Sequence, residues 1–224
     1  MTTPAEARLR ALFDEQLVGI VRVDDAQFAA RTARALLAGG FRCVEITLTV
    51  PDAVALIRQL AAEAPPSVLI GAGTVTSAAE ARACLEAGAQ FVVSPALEPE
   101  IIRPCREAGA VAIVGALTPS EILSAWRSGA HVVKVFPIGC VGGAAYVRAV
   151  RGPFPDIPLW VSGQVTAEQT AELLAAGAQI VGLSTALIPP SALNADAQTA
   201  AQAAAQLRTR ALGLPLARAD TTPA

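Results

Sequence analysis

The sequence predicts an α/β fold in which eight strand–helix units close into a barrel. The main observation is a pattern that recurs five times: a helical stretch ends in Ala-Gly or Ser-Gly and leads directly into a short apolar run. Glycine just past a helix closes it in the left-handed conformation that other residues resist, and the apolar run suits a parallel strand buried on both faces. The second observation is size, because 224 residues of which 53% are hydrophobic can bury one large core.

The individual elements follow in order along the chain. The pattern places a leading helix at Pro4–Glu15 and a long alanine-rich helix at Asp196–Arg210. Five strands follow the glycine pattern and three fill the gaps between them, which gives Leu17–Val23, Cys43–Ile46, Val68–Gly71, Phe91–Val93, Val111–Ile113, Val132–Lys134, Leu159–Ser162 and Ile180–Gly182. Helical patterns such as Ala53–Glu63 and Ala167–Ala176 come between the strands. Eight such units in a chain of this length favour a (β/α)8 TIM-type barrel with an extra N-terminal helix, and an open doubly wound sheet is the alternative.

The domain organisation is simple. We expect residues 1–213 to form a single domain. Residues 214–224 have few groups to bury, and we expect them to form a disordered tail.

Charge and hydropathy limit the kinds of partner. The net charge is −2 and no run of like charges occurs, so we expect a small-molecule partner, not a nucleic acid or an anionic membrane surface. The first residues lack the apolar core of a signal peptide, and the later apolar stretches are far too short to span a bilayer. These observations predict a cytoplasmic protein.

The cysteines and the histidine give no sign of a metal site. Cys43, Cys84, Cys105 and Cys140 are scattered without a Cys-x-x-Cys pair, which favours packing roles over a zinc site or a disulfide framework. His131 is the only histidine, whereas a zinc-dependent aldolase or hydrolase normally needs several imidazoles. We therefore expect no metal and no cofactor, and a surface or strand-edge role for His131.

Polar residues in otherwise apolar strands are the candidates for chemistry, because the active site of such a barrel lies at the carboxyl ends of its strands. The stretch from Val44 to Thr49 alternates apolar with polar residues and places Glu45, Thr47 and Thr49 on one face. The stretch from Val132 to Pro137 contains Lys134, the only lysine of the chain.

An isolated lysine in a buried strand indicates a need for an amine that can lose its proton. Burial lowers the pKa of a lysine and exposes the lone pair that attacks a ketone to form a Schiff base, which arginine cannot do. Spacing and composition leave a second interpretation equally open, a structural ion pair between Glu45 and Lys134 in the core.

Two turns after strands are further candidates. Gly71-Ala72-Gly73-Thr74 follows a strand and precedes a helix, so its glycines allow a backbone to approach a ligand while Thr74 donates a hydrogen bond. An ordinary strand-to-helix turn explains the same residues equally well. Ser94-Pro95 ends another strand in a similar way.

Taken together, these motifs resemble the class I aldolases that act on 2-keto-3-deoxy-6-phosphogluconate (KDPG) and 4-hydroxy-2-oxoglutarate (KHG). The resemblance covers nearly the whole chain. It is carried by the blocks Val44-Glu45-Ile46-Thr47-Leu48, Gly71-Ala72-Gly73-Thr74-Val75, Phe91-Val92-Val93-Ser94-Pro95, Thr118-Pro119-Ser120-Glu121 and Lys134-Val135-Phe136-Pro137.

The resemblance implies a role for each residue. Lys134 would form the Schiff base, and Glu45 would move protons during imine formation and carbon–carbon cleavage. Thr74 would contact the carboxylate of pyruvate, while Pro95 and Phe136 would shape the pocket around its methyl group. It also implies a metal-independent reaction that yields pyruvate and an aldehyde, and a homotrimer.

The chain departs from the family pattern at several positions. Some members carry an arginine for the pyruvate carboxylate where this chain has Thr49, and Arg22 is the candidate that replaces its charge, unless it is a rim residue. Ala96 stands in place of a glycine and Val114 in place of a proline. These two changes are expected to be tolerated.

The phosphate-binding region departs further. A Gly-Gly pair is replaced by Gly163-Gln164, and the segment Gly182-Leu183-Ser184 keeps Ser184 but has lost one glycine. A side chain at Gln164 disfavours the backbone conformation that glycine allows, so we expect lost or rearranged contacts and weak dependence on a substrate phosphate. The alternative is that the Gln164 amide itself binds the phosphate.

Two other functions fit a barrel of this kind. A sugar-phosphate isomerase or epimerase would need an intact phosphate site. A barrel that binds a keto acid without turnover would not need both Glu45 and Lys134. The sequence therefore favours the aldolase.

Overall fold

The computed structural model describes residues 2–213, and the expected tail at 214–224 lies outside these residues. Eight parallel strands form a closed barrel in the order β1 to β8, with β8 paired to β1. The strands are β1 Leu17–Val21, β2 Cys43–Thr47, β3 Leu69–Gly73, β4 Phe91–Val93, β5 Val111–Ala116, β6 Val132–Val135, β7 Leu159–Ser162 and β8 Ile180–Ser184. The predicted barrel is confirmed, and the open sheet is wrong.

Helices alternate with the strands around the outside of the barrel. They are α1 Pro4–Glu15, α2 Ala26–Ala38, α3 Ala53–Glu63, α4 Ala78–Glu86, α5 Ile102–Glu107, α6 Pro119–Arg127, α7 Ala144–Arg151, α8 Thr170–Ala175, α9 Pro190–Leu193 and α10 Ala197–Ala211. The extra N-terminal helix α1 has the predicted bounds, and its first turn carries a capping box between Thr3 and Glu6.

The barrel interior is closed at the amino ends of the strands. Leu12 of α1 belongs to the buried cluster inside the barrel, and Leu9 and Phe13 pack against it. Alternate strand residues such as Val133 and Val135 face the outer helices instead. Because α1 fills one end, access to the interior is left to the carboxyl ends of the strands, where Lys134 and Glu45 lie.

β1 is shorter than predicted, whereas β2 runs one residue past its predicted end at Ile46 but stops before Thr49. β1 ends at Val21, so Arg22 follows the strand instead of belonging to it. β2 ends at Thr47, because the N–H of Val50 donates to the carbonyl oxygen of Thr47 at 3.0 Å and closes a turn. Thr49 lies in that turn, and the predicted strand alternation does not reach it.

Three side chains, each directly before an alternate strand, accept hydrogen bonds from backbone N–H groups of a neighbouring strand. Gln90, His131 and Gln179 directly precede β4, β6 and β8. Their side chains accept hydrogen bonds from the N–H groups of Ile70, Ala112 and Leu159, at 3.1, 3.0 and 2.7 Å. His131 accepts through Nδ1, which confirms its predicted strand-edge role.

The cysteines are free thiols. Cys43, Cys84 and Cys105 are buried, as packing residues should be, whereas Cys140 is exposed in the loop after β6, so the packing prediction is wrong for it. Over residues 2–213, no helix has the length and apolar character needed to cross a bilayer.

Candidate active site

Lys134 and Glu45 meet inside the barrel from opposite walls. β6 and β2 lie four strands apart in the closed sheet, and the alternation of side chains points both residues inward. Nζ of Lys134 is 4.0 Å from Oε1 of Glu45, and the two side chains are 4% and 0% exposed. The sequence therefore identified two residues that the fold brings together.

Burial favours the uncharged forms of both groups. It lowers the pKa of Lys134, and the nearby charge of Arg22 acts in the same direction while Glu45 opposes it. Burial also raises the pKa of Glu45, against the opposing charges of Lys134 and Arg22. The site can thus supply an amine with a free lone pair beside a carboxyl group able to give or take a proton.

Gly73 of β3 makes room for the Glu45 carboxyl group. A Cβ atom at this position would lie only 1.8 Å from Oε1 of Glu45. Both carboxyl oxygens of Glu45 are buried and have no hydrogen-bond partner among the described residues. Burying a carboxyl group without hydrogen bonds is costly, and Nζ of Lys134 at 4.0 Å is its charged partner among the described residues.

A cavity of about 270 Å³ opens onto Lys134 at the carboxyl ends of the strands. Its lining includes six of the predicted site residues: Arg22, Lys134, Phe136, Gly163, Gln164 and Ser184. The phenyl ring of Phe136 lies with its centroid 5.3 Å from Nζ of Lys134.

Arg22 and Thr74 form a polar pair at the rim. Nη2 of Arg22 donates a hydrogen bond to Oγ1 of Thr74 at 3.0 Å. Thr74 holds a left-handed backbone conformation, with φ of 58°, directly after β3. Thr49 does not join this pair: its hydroxyl is 2.8 Å from that of Thr47, which donates to the carbonyl oxygen of Val21.

The turn that contains Pro95 lies beside Lys134. Gly115 is the register partner of Lys134, and a Cβ atom at Gly115 would come within 2.5 Å of the backbone of Pro95 and Ala96. Oγ of Ser94 accepts from the N–H of Gly115 at 3.0 Å and donates to the carbonyl oxygen of Ala96 at 2.8 Å. Ser94 therefore fixes the turn, and Gly115 lets it approach.

Gln164 keeps the backbone conformation that a glycine would adopt. Gly163 has φ of 90° and Gln164 has φ of 56°, so both residues are left-handed. This conformation costs a residue with a Cβ atom about 1–2 kcal/mol. The exposed Gln164 side chain lines the cavity.

Known proteins resemble this chain in sequence and in fold. A model of the "Aldolase: KDPG and KHG aldolase" family matches residues 8–203. The 2-dehydro-3-deoxy-phosphogluconate aldolase of Treponema pallidum is 34% identical over 168 residues, which cover 74% of this chain and 78% of that protein. A probable 2-dehydro-3-deoxy-6-phosphogalactonate aldolase of Rhizobium meliloti is 33% identical over 197 residues, covering 88% and 87%.

The chain belongs to the KDPG and KHG aldolase family. A solved structure described as "Native KDPGal structure" is 29% identical, with a TM-score of 0.76 over 88% of this chain and 96% of that one. The match confirms the family resemblance that the sequence motifs predicted. The buried Lys134–Glu45 pair therefore lies inside the barrel of an aldolase.

Two residues of this aldolase site were missed by the sequence reasoning. Gly73 was assigned to a turn, whereas it ends β3 and accommodates Glu45. Trp160 was treated as an ordinary strand residue, yet Nζ of Lys134 lies 5.9 Å from the centroid of its ring. Strand register would have found Trp160, because it is the β7 partner of Lys134.

The acidic and imidazole groups of the barrel are dispersed. Among residues 2–213, no three His, Cys, Asp or Glu side chains are grouped as metal ligands.

Proposed function

We propose that this aldolase cleaves a 2-keto-3-deoxy sugar acid or 4-hydroxy-2-oxoglutarate to pyruvate and an aldehyde through a Schiff base on Lys134. The observation that carries the proposal is a buried lysine amine 4.0 Å from a buried carboxyl group, with a cavity opening onto the amine. A purely structural ion pair accounts for the two charges but gives no reason for the cavity. An isomerase reaction would leave a nucleophilic amine unused.

Imine formation uses the uncharged forms of the pair. The Nζ lone pair attacks the keto carbon, and Glu45 transfers protons so that the nitrogen loses one and the former carbonyl oxygen gains one. Loss of that oxygen as water, with a proton from Glu45, leaves a positively charged imine and the Glu45 carboxylate. Charge therefore appears on both partners in the same step.

Cleavage then uses Glu45 as the base. It removes the proton from the C4 hydroxyl group, the C3–C4 bond breaks, and its electron pair moves into the imine to give an enamine and the free aldehyde. Glu45 returns the proton to C3, and water hydrolyses the resulting imine of pyruvate to release Lys134. No other proton carrier is needed.

Arg22 and Thr74 bind the pyruvate carboxylate in this proposal. Their mutual hydrogen bond of 3.0 Å places a guanidinium and a hydroxyl side by side at the cavity rim. The charge of Arg22 replaces the arginine that some family members carry where this chain has Thr49. Pro95 and Phe136 border the methyl group, since the Pro95 turn lies beside Gly115 and the Phe136 ring faces Nζ.

Gly163, Gln164 and Ser184 form the region that meets the far end of the substrate. Because the Gln164 side chain lines the cavity, it competes with a phosphate for the space above the loop N–H groups. A hydrogen bond to a charged group contributes about 1.5–3 kcal/mol, so losing one reduces the preference for a phosphorylated substrate by roughly ten- to a hundredfold. We expect unphosphorylated substrates to be cleaved nearly as well as the 6-phosphate.

Trapping with pyruvate and borohydride tests the Schiff base directly. Lys134 is the only lysine of the chain, so the reduced adduct can form on its side chain or on the terminal amine alone. We expect inactivation, with the added mass on the Lys134 peptide. Lys134→Arg is the matched control and should lose this label. An unmodified Lys134 peptide from folded protein would refute the mechanism.

Gln164→Gly tests the assignment of the phosphate region. The measurement is kcat/KM for a phosphorylated and an unphosphorylated substrate, with wild type and variant compared. We expect weak discrimination in wild type and a stronger phosphate preference in the variant. A wild-type preference above about a hundredfold that falls in Gln164→Gly would mean that the Gln164 amide binds the phosphate.

We further propose that the protein works as a homotrimer, which the family resemblance implies, and that it is cytoplasmic, as its short apolar stretches suggest. Light scattering of the purified protein measures its mass against the 22.8 kDa of one chain. A monomer at working concentration would contradict the trimer.

A further inference from the structure

The proposed reaction places two charge states on a single atom, Nζ of Lys134. The free amine attacks the ketone, and the same nitrogen then becomes the positively charged imine. A second carboxylate beside Nζ would hold the lysine as an ammonium ion, whereas an aliphatic wall would not attract the cation. An aromatic face lies between these extremes, because it has no formal charge but its quadrupole attracts a cation.

Trp160 provides such a face beside Lys134. The two residues are register partners on β7 and β6, so their side chains point to the same side of the sheet, into the barrel. Nζ lies 5.9 Å from the centroid of the Trp160 ring and 5.3 Å from that of Phe136, both within reach of a cation–π interaction. Trp160 is fully buried, and it is the stronger of the two ring types for a cation.

Neighbouring residues hold the indole in place. The ring of Phe91 packs against it with centroids 6.1 Å apart and planes tilted by 48°. A Cβ atom at Gly182 would lie 2.8 Å from Nε1 of Trp160, so only glycine leaves room there. The indole therefore meets Lys134 in a fixed orientation.

Hydrogen bonding does not explain why an indole occupies this position. Nε1 of Trp160 is buried and has no hydrogen-bond partner within residues 2–213. A phenylalanine would fill much of the same space without burying an unpaired N–H group. What the larger ring adds is a stronger attraction for a cation at Nζ.

We propose that Trp160 is a positioning residue of this aldolase, whose indole face holds Nζ of Lys134 opposite Glu45 and stabilises the positive charge of the imine. This inference rests on the Schiff-base function proposed above. Trp160 thereby has an electrostatic role in addition to filling space inside the barrel.

Fluorinated tryptophans test the proposal with little change in packing, since each fluorine weakens the attraction of the ring for a cation. The chain has two tryptophans, and Trp126 is 38% exposed in α6, so Trp126→Phe leaves Trp160 as the single site of incorporation. The protein is prepared in this background with ordinary, monofluorinated, difluorinated and trifluorinated tryptophan. Borohydride trapping at graded pyruvate concentrations then measures the equilibrium constant for imine formation in each protein.

At a pH above the midpoint of trapping, where Lys134 is the free amine, we expect that constant to fall in step with the cation affinity of the ring, by about twofold to thirtyfold across the series. The pH midpoint of the trapping rate should move down at the same time, because the ammonium form of Lys134 loses the same stabilisation. Trp160→Phe, which keeps a weaker ring, should fall within the range of the series. A residue that only fills space would change neither quantity in this graded way.

The controls separate this inference from the function on which it rests. Trp126→Phe with ordinary tryptophan should trap pyruvate as wild type does. If wild type itself forms no adduct, the Schiff-base function is refuted, and this inference with it. If wild type traps pyruvate but the constant and the pH midpoint stay unchanged across folded fluorinated proteins, Trp160 has no electrostatic role and the inference is overturned.

Discussion

Gly73→Ala should separate the catalytic role of Glu45 from the stability of the barrel. The added Cβ atom would lie 1.8 Å from Oε1, 2.4 Å from Cδ and 2.7 Å from Cγ of Glu45, and ordinary contact begins at 3.4 Å. The carboxyl group must therefore withdraw by roughly 1.5 Å, which is enough to break alignment with a substrate, since about 1 Å can cost ~10²-fold. Complete loss of a general acid–base costs up to about 10⁴-fold. We expect kcat to fall between these limits.

The same substitution should cost only part of the free energy of unfolding. Gly73 lies in regular strand, and an extra methyl group in a packed core typically costs about 1–3 kcal/mol. Gly-to-Ala at a compatible position stabilises by about 0.4–1 kcal/mol through the unfolded chain, which offsets part of that cost. We expect a net loss below about 3 kcal/mol.

Steady-state kinetics with pyruvate detection, together with urea unfolding, measures both effects. Gly152→Ala is the matched control, because a Cβ atom there makes only an ordinary contact, 3.5 Å from the carbonyl oxygen of Ala149. In a double-mutant cycle, Gly73→Ala should add little to Glu45→Gln, since both act through one carboxyl group. A kcat within a few-fold of wild type, or two losses that multiply, would refute the reasoning.

Two further predictions concern single side chains. Glu45→Gln should keep the fold and lose about 10²- to 10⁴-fold in turnover. Chelators should leave the activity of the wild type unaffected. Activity that vanishes with a chelator and returns with a divalent metal would contradict this prediction. His131→Gln should remove an acid sensitivity of the fold. Burial and the charge of Arg106 lower the pKa of His131 below 6.5, so the unfolded chain binds the proton first and stability falls as pH drops through that range. Gln90 and Gln179 show that glutamine makes the same backbone contact without titrating. The urea midpoints of unfolding at about pH 7 and about pH 5 should therefore differ less in the variant than in wild type. An equal difference in both proteins would exclude His131 as the cause.

The fold was predictable because its signals are local. A glycine that ends a helix and an apolar run that begins a strand occupy adjacent positions, and each strand–helix unit repeats them. The ends of the strands were less predictable, since they depend on hydrogen bonds made after the strand, such as the one from Val50 that closes the turn at Thr47. Arg22 was therefore predicted within β1 and Thr49 on the inward face that continues β2, whereas both residues follow their strands.

The site was predictable as a set of residue types and less so as a geometry. Lys134 is conspicuous as the sole lysine in an apolar strand, and Glu45 as an acid in another. Their separation of 4.0 Å depends on closure of the barrel, which brings β2 and β6 face to face and which no local pattern encodes. The left-handed backbone of Gln164 likewise follows from the loop as a whole, because its own preference opposes that conformation.

Glycines inside the barrel show why composition alone could not describe this site. Glycine in a sequence usually indicates a turn or a positive φ, and the sequence interpretation used it in that way. Four strand glycines instead have ordinary φ values and leave space for a particular neighbour: Gly71 for the Phe91 ring, Gly73 for the Glu45 carboxyl group, Gly115 for the Pro95 turn and Gly182 for the Trp160 indole. An eight-stranded barrel has an interior just wide enough to be filled by side chains, so a large reactive group on one strand requires a missing side chain on another. The reactive residues and the glycines opposite them therefore constrain each other, although they are far apart in the sequence.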